Sequence, residues 1–328
     1  MRQQHPRKSV TASAPAKVNL ILKCGLPEEE TGYHHLFTVF HSLNLRETVR
    51  FIPRADRGFT ISDRYLGESG QELPIPSTLK EMPPEKHLAL RAAQILFDKF
   101  DLPGGGQIEV SKRVPVAGGM AGGSADAAAS LVAVNTAYDL GLSPKELAVI
   151  GRELGADVPA CLLGEVTVGT GRGDRLHTLS KMPSRIWVMG INQKGLATPQ
   201  VFKQADKNPE NLSIRLPQDL TEKEKQVLAG ENWEEFLALL VNDLQAPALV
   251  LRPDLISPLQ AVNALYTQNG QRLTQAIISG SGPTIAAPAR NLDQAKVIAQ
   301  TLLSCEGIER TLILDGPSEP AKIEEVEE

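Results

Sequence analysis

The chain has 328 residues, of which 41% are hydrophobic and 22% charged, with a formal net charge of −5. That length leaves room for two domains, and the charge provides no overall basic field to draw the chain to nucleic acid or a membrane surface. Three scattered cysteines (Cys24, Cys161, Cys305) exclude a disulfide framework and a zinc site, and no apolar run reaches the ~20 residues that span a bilayer.

Residues 1–8 are basic but lack the apolar core of a secretory signal, so a cytoplasmic protein is expected. The run 14–22, Ala-Pro-Ala-Lys-Val-Asn-Leu-Ile-Leu, predicts a strand. Its period of two puts Lys17, Asn19 and Ile21 on one face. A lysine and an asparagine beside an apolar neighbour suit the lining of a site; a solvated face is the alternative. Residues 25–32 predict a turn, and 32–40 a loop running into a strand, with Tyr33 and His34 at the junction. His34, His35 and His41 cluster without a carboxylate or cysteine at ligand spacing, so no side-chain metal site is assigned. A further strand is predicted over 48–52, irregular structure over 53–85, and an amphipathic helix over 87–100.

The stretch 115–130 organises the chain. Apolar strand residues (Ile108, Val110) and a basic pair (Lys112, Arg113) precede it, and an alanine-rich helix follows. Its glycines, Gly118, Gly119, Gly122 and Gly123, let backbone approach a ligand closely. Ser124 is expected to cap the helix. Free N–H groups at the positive end of a helix make an anion site, and phosphate is the usual occupant. Ser124 stands where a P-loop requires lysine, and Asp139 is not placed at a strand end as a dinucleotide fold requires. A third pattern, Pro-x-x-x-Gly-x-x-Gly-Gly-Ser-x-Asp-Ala, fits, with a tightly packed glycine turn as the alternative.

Beyond this helix, Ser143-Pro-Lys-Glu146 predicts a capping box with proline at the first helical position. That helix ends in Gly155-Ala-Asp-Val-Pro159, where Asp157 in an apolar context is either a structural cap or a reactive carboxylate. Strands are expected over 164–169 and 186–191, then a helix with Thr198 as its cap and Phe202 within it. A helix over 255–268 precedes a second glycine loop at 277–285, between two short strands. A last helix (292–303) and strand (311–314) follow, and the acidic residues 316–328 are expected to form a disordered tail.

Three of these segments, Pro15-Ala-Lys-Val-Asn-Leu20, the central glycine loop and Ser279-Gly-Ser-Gly-Pro-Thr284, resemble in order the three motifs of the GHMP small-molecule kinases, which include galactokinase, homoserine kinase and mevalonate kinase. Gly32-Tyr-His34 and Leu154-Gly-Ala-Asp-Val-Pro159 resemble the branch that acts on a cytidine diphosphate methylerythritol. The resemblance covers roughly residues 11–315. It implies an α/β (α+β) two-lobed fold, with an N-terminal lobe like a ribosomal-protein domain (1–170), a ferredoxin-like C-terminal lobe (171–315) and the active site in the cleft between them. It implies ATP-dependent phosphorylation of the substrate's 2-hydroxyl, with Mg²⁺ accompanying ATP, in a monomer or weak homodimer.

On this reading Lys17 and Asp157 are catalytic. Lys112, Pro115, Val116, Ala117, Gly118, Gly119, Met120, Ala121, Gly122, Gly123, Ser124 and Ala125 bind ATP. Asn19, Tyr33, His34, Thr198 and Phe202, with Asp157, bind the substrate, Tyr33 and Phe202 by stacking on cytosine and His34 at the base edge. The chain departs from the family pattern at Ala117, Ala121 and Ala125, where glycine or serine is usual, and at Asp126 and His87, where asparagine is common. The alternatives are another kinase of the fold, such as homoserine kinase, or a non-catalytic nucleotide-binding protein.

Overall fold

The computed structural model describes residues 8–67, 69–179, 182–192 and 194–327. Most of the basic N-terminal stretch, residues 1–7, lies outside them. Two long strands, β1 (Ser9–Pro27) and β2 (His34–Arg54), pair antiparallel. The separate strand expected over 48–52 is the continuation of β2, because apolar residues alternate inward through Leu43, Leu45, Val49 and Phe51. Along β1, Lys17 and Asn19 share a face as expected. A bulge after Asn19 then resets the register, and Ile21 is buried in the core at 2% exposure.

The stretch 53–85, expected to be irregular, contains β3 (Phe59–Leu66), the short β4 (Glu72–Leu73) and one helical turn, α1 (Ser77–Lys80). Here β3 runs parallel to an internal neighbour and needs only half-buried side chains, so its apolar signal is weak. Helix α2 (Leu88–Phe100) starts at its N-cap His87, whose Nδ1 accepts from the Ala89 N–H at 3.2 Å. Strand β5 (Gly105–Lys112) leads into the glycine loop and α3 (Gly122–Ala137). Ten of the 16 residues of α3 are buried, among them every residue from Ala125 to Leu131. Its alanines let the helix lie close to the sheet while α2, α4 (Pro144–Gly151) and α5 (Val158–Leu163) cover its other sides. Both hydrogen bonds of the predicted capping box form at the start of α4.

Strands β6 (Val166–Thr170) and β7 (Arg175–Thr178) extend the first sheet beside β2. A second sheet begins with β8 (Arg185–Asn192), followed by α6 (Thr198–Ala205), α7 (Glu222–Ala229), α8 (Trp233–Leu239), β9 (Val241–Asn242), α9 (Gln245–Leu251) and α10 (Ile256–Asn263). Then come β10 (Ile277–Ile278), β11 (Ile285–Ala289), α11 (Leu292–Leu303) and β12 (Ile308–Gly316). This four-stranded sheet has the order β10-β11-β8-β12, and β9 crosses back to pair with β1. The expected disordered tail is instead a strand. β13 (Lys322–Glu327) pairs antiparallel with the start of β1. Such an edge strand is held by backbone bonds, which an acidic composition does not reveal. No helix among the described residues is long and apolar enough to cross a membrane.

Candidate active site

The glycine loop leaves β5 and enters α3 through three left-handed residues, Ala117 (φ 54°), Gly119 (φ 76°) and Ala121 (φ 64°). Two of them are alanines in a region that disfavours any side chain. The left-handed turn at Ala121 makes it the N-cap and starts the helix at Gly122, without a side-chain cap. Ser124 therefore lies inside the first turn and is not the expected cap. The N–H groups of that turn have no partner within the helix. They border a cavity of about 520 Å³ lined by Pro115, Val116, Ala117, Gly118, Gly119, Ala121, Gly122 and Gly123. Met120 and Ala125 do not line it; their side chains are buried in two different hydrophobic clusters. A Cβ on Gly119 would overlap the Ser279 carbonyl oxygen, and the Ser279 hydroxyl donates to the Gly119 carbonyl at 3.1 Å. The second glycine loop therefore clamps the first.

Lys17 is 5% exposed. Its ammonium donates to Asn19 Oδ1 at 2.8 Å and the Gly119 carbonyl at 3.1 Å, and lies 3.5 Å from Asp157 Oδ2. Asn19 Nδ2 donates to Thr38 Oγ1 at 2.8 Å. Asn19 thus orients Lys17, and it lines the cavity with one amide N–H and one carbonyl lone pair still unused. Asp157 sits at the N-cap of α5, makes no side-chain cap bond and keeps 35% of its side chain exposed. That geometry removes the structural-cap alternative.

Asp157, Thr198 and Phe202 line both the first cavity and a second one of about 770 Å³. The second also holds Tyr33, His34 and Ser124. Tyr33 is 57% exposed, so it is no core tyrosine. The Arg172 guanidinium lies 4.9 Å from its ring centroid. His34 is buried, its ring 5.1 Å from Phe202. Its Nδ1 is 2.7 Å from the Gly25 carbonyl and its Nε2 3.0 Å from Asp206, so contact with a base edge requires displacing Asp206. Thr198 is the first residue of α6, after the N-cap Ala197, and its hydroxyl meets Ser281 Oγ at 2.7 Å. It ties α6 to the second glycine loop and is not the expected cap.

Lys112 borders the glycine-loop cavity, but its ammonium is buried between Glu47, at 3.1 Å, and Asp126, so both carboxylates hold it in place beside the loop. Burial pushes Glu47 up to about 7, with Lys112 opposing and Asp126 adding to the shift. Burial alone would lower Lys112, but the two carboxylates outweigh it and hold it above the usual lysine value. Asp126 keeps one buried oxygen, Oδ1, without a partner. Glu47, and Arg152 and Arg172 in the wall of the second cavity, were not singled out from the sequence. Glu47 left a signal, a charge on the inward face shared by Leu45, Val49 and Phe51. The two arginines left none, being isolated basic residues.

Residues 87–165 match the family described as GHMP kinases N terminal domain. A 4-diphosphocytidyl-2-C-methyl-D-erythritol kinase of Kineococcus radiotolerans is 40% identical over 302 residues, covering 92% of this chain and 88% of the relative. One of the same name from Mycolicibacterium smegmatis is 38% identical over 317 residues, covering 96% and 92%. Among solved structures, a 4-(cytidine 5'-diphospho)-2C-methyl-D-erythritol kinase has a TM-score of 0.68 at 30% identity, covering 93% of this chain and 98% of the other. The mevalonate kinase of L. major, with a TM-score of 0.67 at 15% identity over 98% and 99% of the two chains, shares the fold alone. Likeness in sequence as well as fold, over nearly the whole length, makes this chain a member of the 4-diphosphocytidyl-2-C-methyl-D-erythritol kinase family.

Proposed function

We propose that the protein transfers the γ-phosphate of ATP to the 2-hydroxyl of 4-diphosphocytidyl-2-C-methyl-D-erythritol, giving the 2-phosphate and ADP, in the non-mevalonate route to isoprenoid precursors. The observation that carries this reading is the Lys17–Asp157 pair where two cavities adjoin, one walled by the glycine loop and the other containing Tyr33 and His34. Phosphoryl transfer asks a protein for alignment and charge stabilisation more than covalent chemistry. The triphosphate would lie on the backbone N–H groups of residues 118–124 at the start of α3. Asp157 would accept the proton of the attacking hydroxyl. Lys17, held by Asn19 and Gly119, would orient that carboxylate and offset charge on the attacking oxygen. Tyr33 and Phe202 would supply faces for cytosine.

Mg²⁺ typically binds one or two carboxylates together with substrate phosphates. The unpartnered Asp126 Oδ1 at the edge of the glycine-loop cavity fits that donor set; the ion would offset the triphosphate charge there. No cluster of three or more metal-ligating side chains occurs among the described residues.

Asp157→Asn tests the reading. Loss of a general base costs ~100- to 10,000-fold in rate. ATP affinity and melting temperature should stay near wild type, since the carboxylate makes no cap bond. Near-normal turnover in a coupled ADP-release assay would remove Asp157 from catalysis. The same assay run with homoserine and mevalonate separates the other kinases of the fold, and nucleotide binding without turnover on any of them would mark a non-catalytic protein.

A further inference from the structure

The segment 316–321, which joins β12 to β13, packs against the far end of the helix that presents Asp157. Helix α5 has six residues, a length of about 9 Å at 1.5 Å per residue, so its two ends cannot move independently. Its last carbonyls lack partners within the helix. That of Leu162 accepts from the Ala321 N–H at 3.0 Å. Beyond the helix the chain reverses through two residues of positive φ, Gly164 (φ 57°) and Glu165 (φ 53°). For Glu165 this conformation needs outside support. Its N–H donates to the Ser318 carbonyl at 2.8 Å, and its carbonyl accepts from the Ser42 N–H at 3.0 Å. A Cβ on Gly164 would lie 2.6 Å from both Glu319 O and Pro320 N, so the segment runs in direct contact with this reversal.

Arg46 of β2 grips the segment from the other side. Its guanidinium donates to Ser318 Oγ (3.1 Å), Glu319 O (2.9 Å) and Pro320 O (2.8 Å), and to Ser13 Oγ (2.7 Å) and Ser13 O (3.0 Å) of β1. All five N–H donors of the side chain are used. Ser42 Oγ accepts from the Ser318 N–H at 2.8 Å. We infer that Arg46 and the segment it holds are a positioning element for phosphoryl transfer, fixing α5 so that Asp157 meets Lys17 and the acceptor hydroxyl. The inference rests on Asp157 being the base. Arg46 touches no reactant; it acts through α5.

The test compares Arg46→Lys, Arg46→Gln and a chain stopped after Gly316, each with and without Asp157→Asn. Steady-state constants, single-turnover rates with enzyme in excess and thermal melts are recorded below the melting temperature of the weakest variant. A misplacement of about 1 Å can cost ~100-fold in rate. The expected result is a 10- to 100-fold fall in kcat for Arg46→Gln, with KM for both substrates within about twofold. Arg46→Lys, which keeps the charge and three donors, should fall between it and wild type. In the Asp157→Asn background Arg46→Gln should cause no further fall, because coupled residues are not additive. Lower melting temperatures with unchanged kcat would reduce the segment to a stabilising strap and overturn the inference. A fall that multiplies with that of Asp157→Asn would overturn it too, by placing the effect elsewhere. Wild-type turnover in Asp157→Asn alone would instead sink the base assignment. An inactive Asp157→Asn beside a fully active Arg46→Gln would sink only the inference. If the shortened chain fails to fold, the two Arg46 substitutions decide.

Discussion

Replacing Gly119 by alanine separates the two things the glycine loop must do, fit its neighbour and approach a phosphate. At φ 76° an L-residue costs about 1–2 kcal/mol. The added Cβ would also overlap the Ser279 carbonyl oxygen and lie 3.0 Å from Gly282 N. These are backbone atoms, which yield less readily than a side chain, and overpacking of this kind costs about 1–3 kcal/mol. Together the change is worth about 2–5 kcal/mol against a total stability of ~5–15 kcal/mol. The loops can relieve it only by parting, which draws the Gly119 carbonyl from Lys17 and from Ser279. Gly119→Ala should therefore melt at lower temperature and bind ATP at least ~10-fold more weakly, a loss of 1.4 kcal/mol or more. Gly123→Ala is the control. Its Cβ would meet only Leu88 Cδ1, at 3.6 Å, and alanine favours a helix by ~0.5–1 kcal/mol over glycine. That variant should melt at or above the wild-type temperature, so any loss of ATP affinity in it reports a methyl meeting phosphate. Melts and calorimetric titration with a non-hydrolysable ATP analogue read both. Wild-type stability and ATP affinity in Gly119→Ala would refute the argument that the second loop clamps the first.

Two further outcomes are expected. Glu47 titrates near 7 in the folded chain, up from its ordinary 4.5, so the native state keeps a proton that the unfolded chain has lost. Its contribution is fully present below pH ~4.5 and lost as the pH rises through ~7. The melting temperature of wild type relative to Glu47→Gln should accordingly be higher at pH 5 than at pH 8, and a difference independent of pH would show that Glu47 is not protonated in this window. Tyr33→Ala should weaken binding of the cytidine substrate by ~1–3 kcal/mol while sparing ATP and stability, since the ring is mostly exposed. Tyr33→Phe should lose little, and equal weakening of both ligands in Tyr33→Ala would remove the ring from the cytosine site.

What could be read from the sequence was local chemistry with a period or a cap. The shared face of Lys17 and Asn19, the loop between strand and helix, and the capping box at Ser143 all form as their spacing dictates. What escaped was settled by contacts distant in sequence. Ala121 reads as an ordinary helix former, yet its left-handed backbone moves the helix start ahead of Ser124. Lys112 reads as a phosphate ligand beside a glycine loop and does border the cavity there, but its pairing with Glu47, 65 residues away, is invisible in the local pattern. His34 reads as a partner for a base edge, and the contacts of its two ring nitrogens with Gly25 and Asp206 lie beyond what its sequence neighbours reveal. β13 offers only Ile323 and Val326 to a hydrophobic count, and both are exposed. Its place comes from backbone pairing with β1 and from side-chain bonds of Ser13 to Glu324 and Arg50 to Glu327.

That pairing joins residues 311 positions apart, Ser13 to Glu324, and it orders events during synthesis. β1 emerges early, but its outer edge at residues 9–13 has no neighbour until residues beyond 321 have followed. Throughout that interval the growing chain presents a row of unpaired N–H and C=O groups, the template on which strands of other chains add. The first half of β1 carries Ser9, Thr11 and Ser13 in alternation with fully buried Val10, Ala12 and Ala14, so that waiting edge is only half polar. β13 is thus the element that closes this edge against pairing with a second copy.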